Sequence, residues 1–146
     1  MAKLARDVMT PDPVCCPPDA TIDEVARLMT ANNCGEIPVV DSLERPIGVI
    51  TDRDIVCRVV AEGKNPMAHT VESYMTSSVV TVLADASIDE VIATMEDHQI
   101  RRVLVVDSEG CCTGIIAQAD IAAIEPPKIT GELLWELSRD SGAPSR

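Results

Sequence analysis

Apolar residues in this chain follow two periods in turn, and the whole succession occurs twice. Starting at Ile22, apolar side chains fall at Val25, Ala26 and Met29, the spacing of one helical face; starting at Ile88 they fall again at Val91, Ile92 and Met95. Short unbroken apolar runs follow each helix, at residues 37–40 and 47–51 and again at 103–106 and 113–116, and these predict strands. Polar connections join the runs within each pair, Asp41-Ser42-Leu43-Glu44-Arg45-Pro46 and Asp107-Ser108-Glu109-Gly110. A second helix is expected from about Asp52 to Glu62, stopped by Gly63, and its counterpart begins near Gln118 and ends before Pro126. Thr21 with Glu24, and Ser87 with Glu90, have the spacing in which a hydroxyl and a carboxylate close the first helical turn. Each succession opens on a turn ending in Met-Thr, at Met9-Thr10 and Met75-Thr76, then a brief extended stretch around residues 14–16 and 79–82.

These parallels are one alignment. A shift of 66 residues carries Asp19-Ala20-Thr21-Ile22-Asp23-Glu24-Val25 onto Asp85-Ala86-Ser87-Ile88-Asp89-Glu90-Val91, and Gly48 and Asp54 onto Gly114 and Asp120, without a gap. The period is too long for a solenoid unit and suits a small β-α-β-β-α unit that must pair to complete its core. The expected fold is therefore mixed α/β, two copies facing each other across a cleft. The divisions are 1–63 for the first copy, 64–70 for a linker, 71–125 for the second copy, and 126–146 for a tail. Residues 129–137 of the tail, with Trp135, read as a short helix too small to stand alone in water.

Composition narrows the function. The chain has 146 residues, 46% of them hydrophobic, and no apolar run near the ~20 needed to span a membrane. Lys3, Arg6 and Asp7 interrupt the N-terminus, so no secretory core is present and a cytoplasmic protein is expected. A net charge of −12 without a basic stripe repels nucleic acid. The six cysteines show no C-x-x-C spacing, and His69 and His98 do not match across the repeat, so no metal site is expected. Under the shift Cys16, Cys34 and Cys57 fall on Val82, Ile100 and Ala123. Cysteine there is expected to act as a small buried hydrophobe in a reducing compartment.

The sharpest local signal is Gly48-Val49-Ile50-Thr51-Asp52-Arg53-Asp54, a strand running through a glycine into a helix. Helix N-termini attract phosphate, Thr51 adds a hydroxyl, and Asp54 has the reach to accept both hydroxyls of a ribose. The same two residues also have the spacing of a helix cap pair. In the second copy Ala117 replaces the hydroxyl while Asp120 keeps the carboxylate, which favours the ribose role and predicts two unequal sites. Arg101 and Arg102 stand where the first copy has Gly35 and Glu36, and either clamp phosphate or balance Glu96 and Asp97. Arg53, Arg58 and Lys64 read as solvated. With 1% aromatic residues, a purine would need an aliphatic slot; Val14, Cys34 and Ile37 in one copy and Val80, Ile100 and Val103 in the other are candidates for it or for core. No nucleophile and base stand together in the pattern, so an enzyme is not expected.

The Val-Met-Thr opening, the Asp-Ala-Thr-Ile-Asp-Glu-Val helix start, Pro38-Val39-Val40-Asp41 and residues 48–54 together resemble the cystathionine-β-synthase (CBS) domain pair, or Bateman module. Thr51-Asp52-Arg53-Asp54-Ile55-Val56 with Ala61-Glu62-Gly63 is similar to stand-alone bacterial pairs of the hypoxic-response type. The resemblance implies a three-stranded sheet and two helices per repeat, pseudo-two-fold stacking, a disc-like homodimer, and an adenosine compound (AMP, ADP, ATP or S-adenosylmethionine) bound between repeats. It places the family's Ser/Thr-x-x-Asp motif on Thr51 and Asp54 and half of it on Asp120, with Arg101 and Arg102 near phosphate. The function implied is a regulatory sensor acting on a separate effector protein; the alternative is a structural interaction module with vestigial sites.

Overall fold

The computed structural model describes residues 3–124. The expected tail helix with Trp135 lies outside the described residues. In chain order the elements are α1 (Ala5–Val8), β1 (Thr10–Pro11), α2 (Ile22–Asn32), β2 (Glu36–Val40), β3 (Pro46–Thr51) and α3 (Asp52–Ile55), which continues as a π-helical turn over Val56–Val60. A 3-10 turn at Val71–Ser73 precedes β4 (Thr81–Leu83), α4 (Ile88–His98), β5 (Arg102–Val106), β6 (Cys112–Ala117) and α5 (Gln118–Ala122). The mixed α/β class and the repeated element order are those expected.

The chain packs as two compact units that interleave along the sequence. One gathers residues 12–79 and 110–112; the other gathers the N-terminal segment to Pro11, residues 80–109 and the chain from Thr113. Each opening Met-Thr turn thus packs with the strands of the other copy. A glycine on the recipient strand makes room for it. A Cβ on Gly48 would stand 2.5 Å from Met75 Sδ and 3.0 Å from Thr76 O, and one on Gly114 would collide with Met9.

This exchange changes the strand count. In the unit built on α4, β1 adds to the sheet in the order β1-β6-β5-β4, with Thr10 opposite Ile115 and Thr81 opposite Leu104, so the sheet is four-stranded rather than three-stranded. In the unit built on α2 only β2 and β3 form a ladder, Glu36 opposite Thr51 and Ile37 opposite Ile50. The two flanking positions there survive as single bridges, Cys16 with Val39 and Thr76 with Val49. Pro13, Pro17 and Pro18 crowd the first of these and deny it a longer ladder.

The cores match position for position. Cys16, Ile22, Val25, Met29, Val39, Ile50 and Ile55 are buried in one unit, and Val82, Ile88, Val91, Met95, Val105, Ile116 and Ile121 in the other. Ala5 and Val71, equivalent under the shift, are exchanged with their opening turns. Both long helices end alike, on Asn33 and Gln99 in the left-handed region, whose N–H groups return to Met29 O and Met95 O.

Their starts differ. Ser87 Oγ accepts from Glu90 N–H as expected, whereas Thr21 turns its hydroxyl to Asp23 and Glu24 as a donor. The α2 N-terminus is capped instead by the linker, since Ile22 N–H donates to His69 O and Asp23 N–H to Pro66 O. With those donors satisfied, the Thr21 hydroxyl is available to the carboxylates.

Candidate functional site: the two strand-to-helix junctions

β3 delivers Thr51 directly into α3, and there the cap pair is complete. Asp54 N–H donates to Thr51 Oγ1 at 3.1 Å, and Thr51 N–H donates to Asp54 Oδ2 at 3.0 Å. The other carboxylate oxygen, Oδ1, lies 3.9 Å from Arg58 Nε, and the Asp54 side chain is 17% exposed. Arg58 also donates from Nη1 to Tyr74 O at 2.9 Å. Its side chain is 51% exposed, as expected of a solvated residue, and it also reaches over Asp54 and ties the turn that follows α3 to the opening turn of the second copy. The i, i+4 spacing of Asp54 and Arg58 was the signal for this pair.

At the equivalent junction, Ala117 N–H donates to Asp120 Oδ2 at 2.8 Å. Retention of Asp120 without a hydroxyl therefore has a local cause, because the carboxylate caps an N–H that needs no side chain at position 117. The inference that a capping account leaves Asp120 unexplained does not stand. One backbone bond ties each junction to the residue just before β2 or β5, Asp52 N–H to Gly35 O and Gln118 N–H to Arg101 O. These bonds place Arg101 and Arg102 beside the Asp120 junction, where the other unit has Gly35 and Glu36.

Arg101 and Arg102 are exposed, and neither forms an ion pair with a described carboxylate. The aliphatic candidates divide. Val14 and Cys34 in one unit, and Val80 and Ile100 in the other, are half-buried against the cores. Ile37 and Val103 are 0% and 2% exposed, and their side chains belong to the two cores. Each unit gathers its own candidate set, Val14, Cys34, Thr51 and Asp54 in one, Val80, Ile100, Arg101, Arg102 and Asp120 in the other.

The unit built on α2 also holds a hollow of about 470 Å³ between α2 and α3, lined by Ala26, Met29, Thr30, Asn33, Cys34, Gly35, Asp52, Ile55 and Val56. It includes Cys34 but neither Thr51 nor Asp54. Beside it Val56 and Val60 are 56% and 61% exposed. The sequence marked none of this apolar face, because a buried and an exposed valine read alike.

All six cysteines are thiols. Cys16 is buried as expected, and burial pushes its thiol up to about 12. Cys57 is exposed and the others are half-buried, so the expectation of buried hydrophobes holds for Cys16 alone. His69 packs edge-on against Tyr74, its Nδ1 3.4 Å from the phenol oxygen, and His98 Nδ1 lies 3.0 Å from Thr94 O. Among the described residues no three His, Cys, Asp or Glu side chains gather as a metal site would require, and no helix is long and apolar enough to cross a membrane.

Comparison with known proteins bears on the whole architecture. The chain is 38% identical over 118 residues to Hypoxic response protein 1 of Mycobacterium tuberculosis, covering 81% of this chain and 82% of that one. It is 37% identical over 121 residues to the uncharacterized protein MK0525 of Methanopyrus kandleri, covering 83% of this chain and 59% of the length of that relative. A crystal structure of Hypoxic Response Protein I with two coordinated zinc ions superposes with a TM-score of 0.76 at 34% identity, over 85% of this chain and all (100%) of that one. The CBS domain pair of protein MJ0100, in complex with 5-methylthioadenosine and S-adenosyl-L-methionine, gives 0.74 at 29% identity, over 85% and 96% of the two chains. The CBS domain protein PAE2072 of Pyrobaculum aerophilum, complexed with AMP, gives 0.75 at 27%, over 91% and 99%. The sequence profile of the CBS domain matches residues 5–61 and 71–125. With both copies matched, the duplicated chain belongs to the CBS-domain family, as a tandem CBS pair.

Proposed function

We propose that this protein is a non-enzymatic regulatory module that binds an adenosine nucleotide, or S-adenosylmethionine, at its strand-to-helix junctions. The observation that carries the reading is the Thr51–Asp54 junction, where a helix N-terminus, a hydroxyl and a mostly buried carboxylate meet. Asp54 Oδ2 is held by Thr51 N–H, which leaves Oδ1, beside Arg58, to accept ribose hydroxyls. Relatives crystallised with AMP or S-adenosyl-L-methionine support the ligand class. The second junction supplies Asp120, Arg101 and Arg102 and lacks the hydroxyl, so it favours phosphate charge over the α3-type grip.

Ligand occupancy acts on a separate effector protein by shifting the population of two states that bind ligand differently. The protein works in the cytoplasm as a homodimer. The apolar face of Val56 and Val60 beside the α2–α3 hollow supports the pairing. That same face favours the second reading, an interaction module whose junctions serve only as caps.

Thermal denaturation with AMP, ADP, ATP and S-adenosylmethionine separates the readings. A ligand at a hundred-fold excess over its Kd stabilises the fold by ~2.7 kcal/mol. No rise in Tm at millimolar concentrations of any of the four leaves the interaction module.

A further inference from the structure

Arg58 is tied on one side and leaves a gap on the other. Its Nη1 donates to Tyr74 O at 2.9 Å, which pins the guanidinium against the opening turn of the second copy. Its Nε lies 3.9 Å from Asp54 Oδ1, beyond hydrogen-bond reach, and Oδ1 accepts no hydrogen bond from a described residue. An exposed ion pair of this spacing adds little to stability by itself. The backbone that carries Arg58 is held in place: Ile55 and Val59 are buried, and Arg58 lies within the π-helical turn Val56–Val60. Single π-helical turns occur frequently at functional sites. Under the repeat shift Arg58 corresponds to Ile124, so the second copy has an alkyl side chain where the first has a guanidinium.

We propose that Arg58 is a specificity-determining residue: together with Asp54 it holds one ribose hydroxyl, and so selects ribonucleotides over their deoxy forms. The inference rests on the nucleotide-binding reading above and names what the first junction demands of its ligand. A hydroxyl both donates and accepts. Seated between the two groups, its O–H donates to Asp54 Oδ1 while its oxygen accepts from Arg58 Nε–H. A donor and an acceptor 3.9 Å apart leave room for both bonds at about 2.8 Å each. The bond to Tyr74 O keeps the guanidinium from closing that gap onto Oδ1. A deoxy ligand leaves both groups unmatched, and a site built around a hydroxyl rejects an analogue lacking it far more strongly than it rejects a change of bulk.

Titration calorimetry with AMP, 2′-deoxy-AMP and 3′-deoxy-AMP is the test, on the full chain with and without Asp120→Ala to separate the two junctions. AMP should bind the first junction roughly tenfold more tightly than at least one deoxy analogue, as expected for a hydrogen bond to a charged group. Arg58→Met keeps an apolar stem without the donor; it should lower the affinity for AMP about tenfold and that for the analogue far less, so the preference disappears. A merely structural role would weaken all three ligands together, and that result overturns the proposal. Arg58→Lys gives the same readout should the methionine variant not fold, because an ammonium cannot hold Tyr74 O and a hydroxyl in one planar fork. Equal affinities for AMP and both deoxy forms, or a preference that survives the substitution, overturn the role of Arg58 and leave nucleotide binding standing. No binding of any of the three to the wild-type chain removes the nucleotide reading and this inference with it.

Discussion

The two packing units bury equivalent residues and part company where strand meets helix. In one, Thr51 and Asp54 cap each other and Arg58 leans on the carboxylate; in the other, Asp120 caps Ala117 from one side only and two exposed arginines stand alongside. The helices that follow also differ. After α3 the chain widens to a π-helical turn, with Ala61 N–H donating to Val56 O, whereas Ala123 N–H after α5 donates to Ala119 O in the ordinary α pattern. Val56, Val59 and Val60 are β-branched and crowd an α-helical turn, and Ala122 and Ala123 are not. Duplication therefore kept what fills the core and let the edges diverge, because core positions are constrained by volume and junctions by whatever they hold.

The comparison breaks most readily at the shared glycines. Gly48→Ala and Gly114→Ala should each destabilise the fold by about 1–3 kcal/mol, since the added methyl meets a methionine of the exchanged turn. Urea denaturation measures this, and a loss confined to one of the two would mean the turns are not equivalent. Next, Asp54→Ala should weaken adenosine-nucleotide binding by about 1–3 kcal/mol in calorimetry. Asp120→Ala should cost less, because that junction lacks the hydroxyl. Equal losses would make the two sites alike despite Ala117.

Smaller effects sharpen the contrast. Arg102→Ala should weaken ATP more than adenosine, and equal losses for both would place Arg102 away from phosphate. Ala117→Thr installs the missing acceptor for Asp120 N–H and should stabilise by about 1 kcal/mol, the reverse of removing an N-cap hydroxyl. Proton linkage adds one further distinction between the units. Cys16 has a folded pKa of about 12 against an ordinary 9.0, so the stability it contributes is complete below pH 9 and lost as pH rises towards 12. Val82 occupies the equivalent place, so Cys16→Val should flatten the alkaline limb of a Tm-against-pH profile.

Both helices with an apolar face, all four main strands and the repeat itself were legible, because amphipathic periodicity and a gapless shift are properties of order along the chain. Thr51 and Asp54 were legible as a pair for the same reason, their contact being local. The bond from Arg58 to Tyr74 O was not legible, because the two lie sixteen residues apart and meet only through folding. Ile37 and Val103 stood as candidates for a slot or for core, because apolar residues do not declare which side of a strand they line until the sheet is covered.

What the sequence determined by itself is a duplicated α/β chain with one core pattern written twice, since burial selects residue type by local period. Tertiary structure alone decided that the Met-Thr turns change places, that a fourth strand joins one sheet and leaves only bridges in the other, and that Arg58 reaches Tyr74 O. Each of these is a contact between segments far apart in the chain. Such contacts are chosen by steric fit, a glycine's missing side chain or the width of a junction, and fit of that kind exists only in the folded molecule.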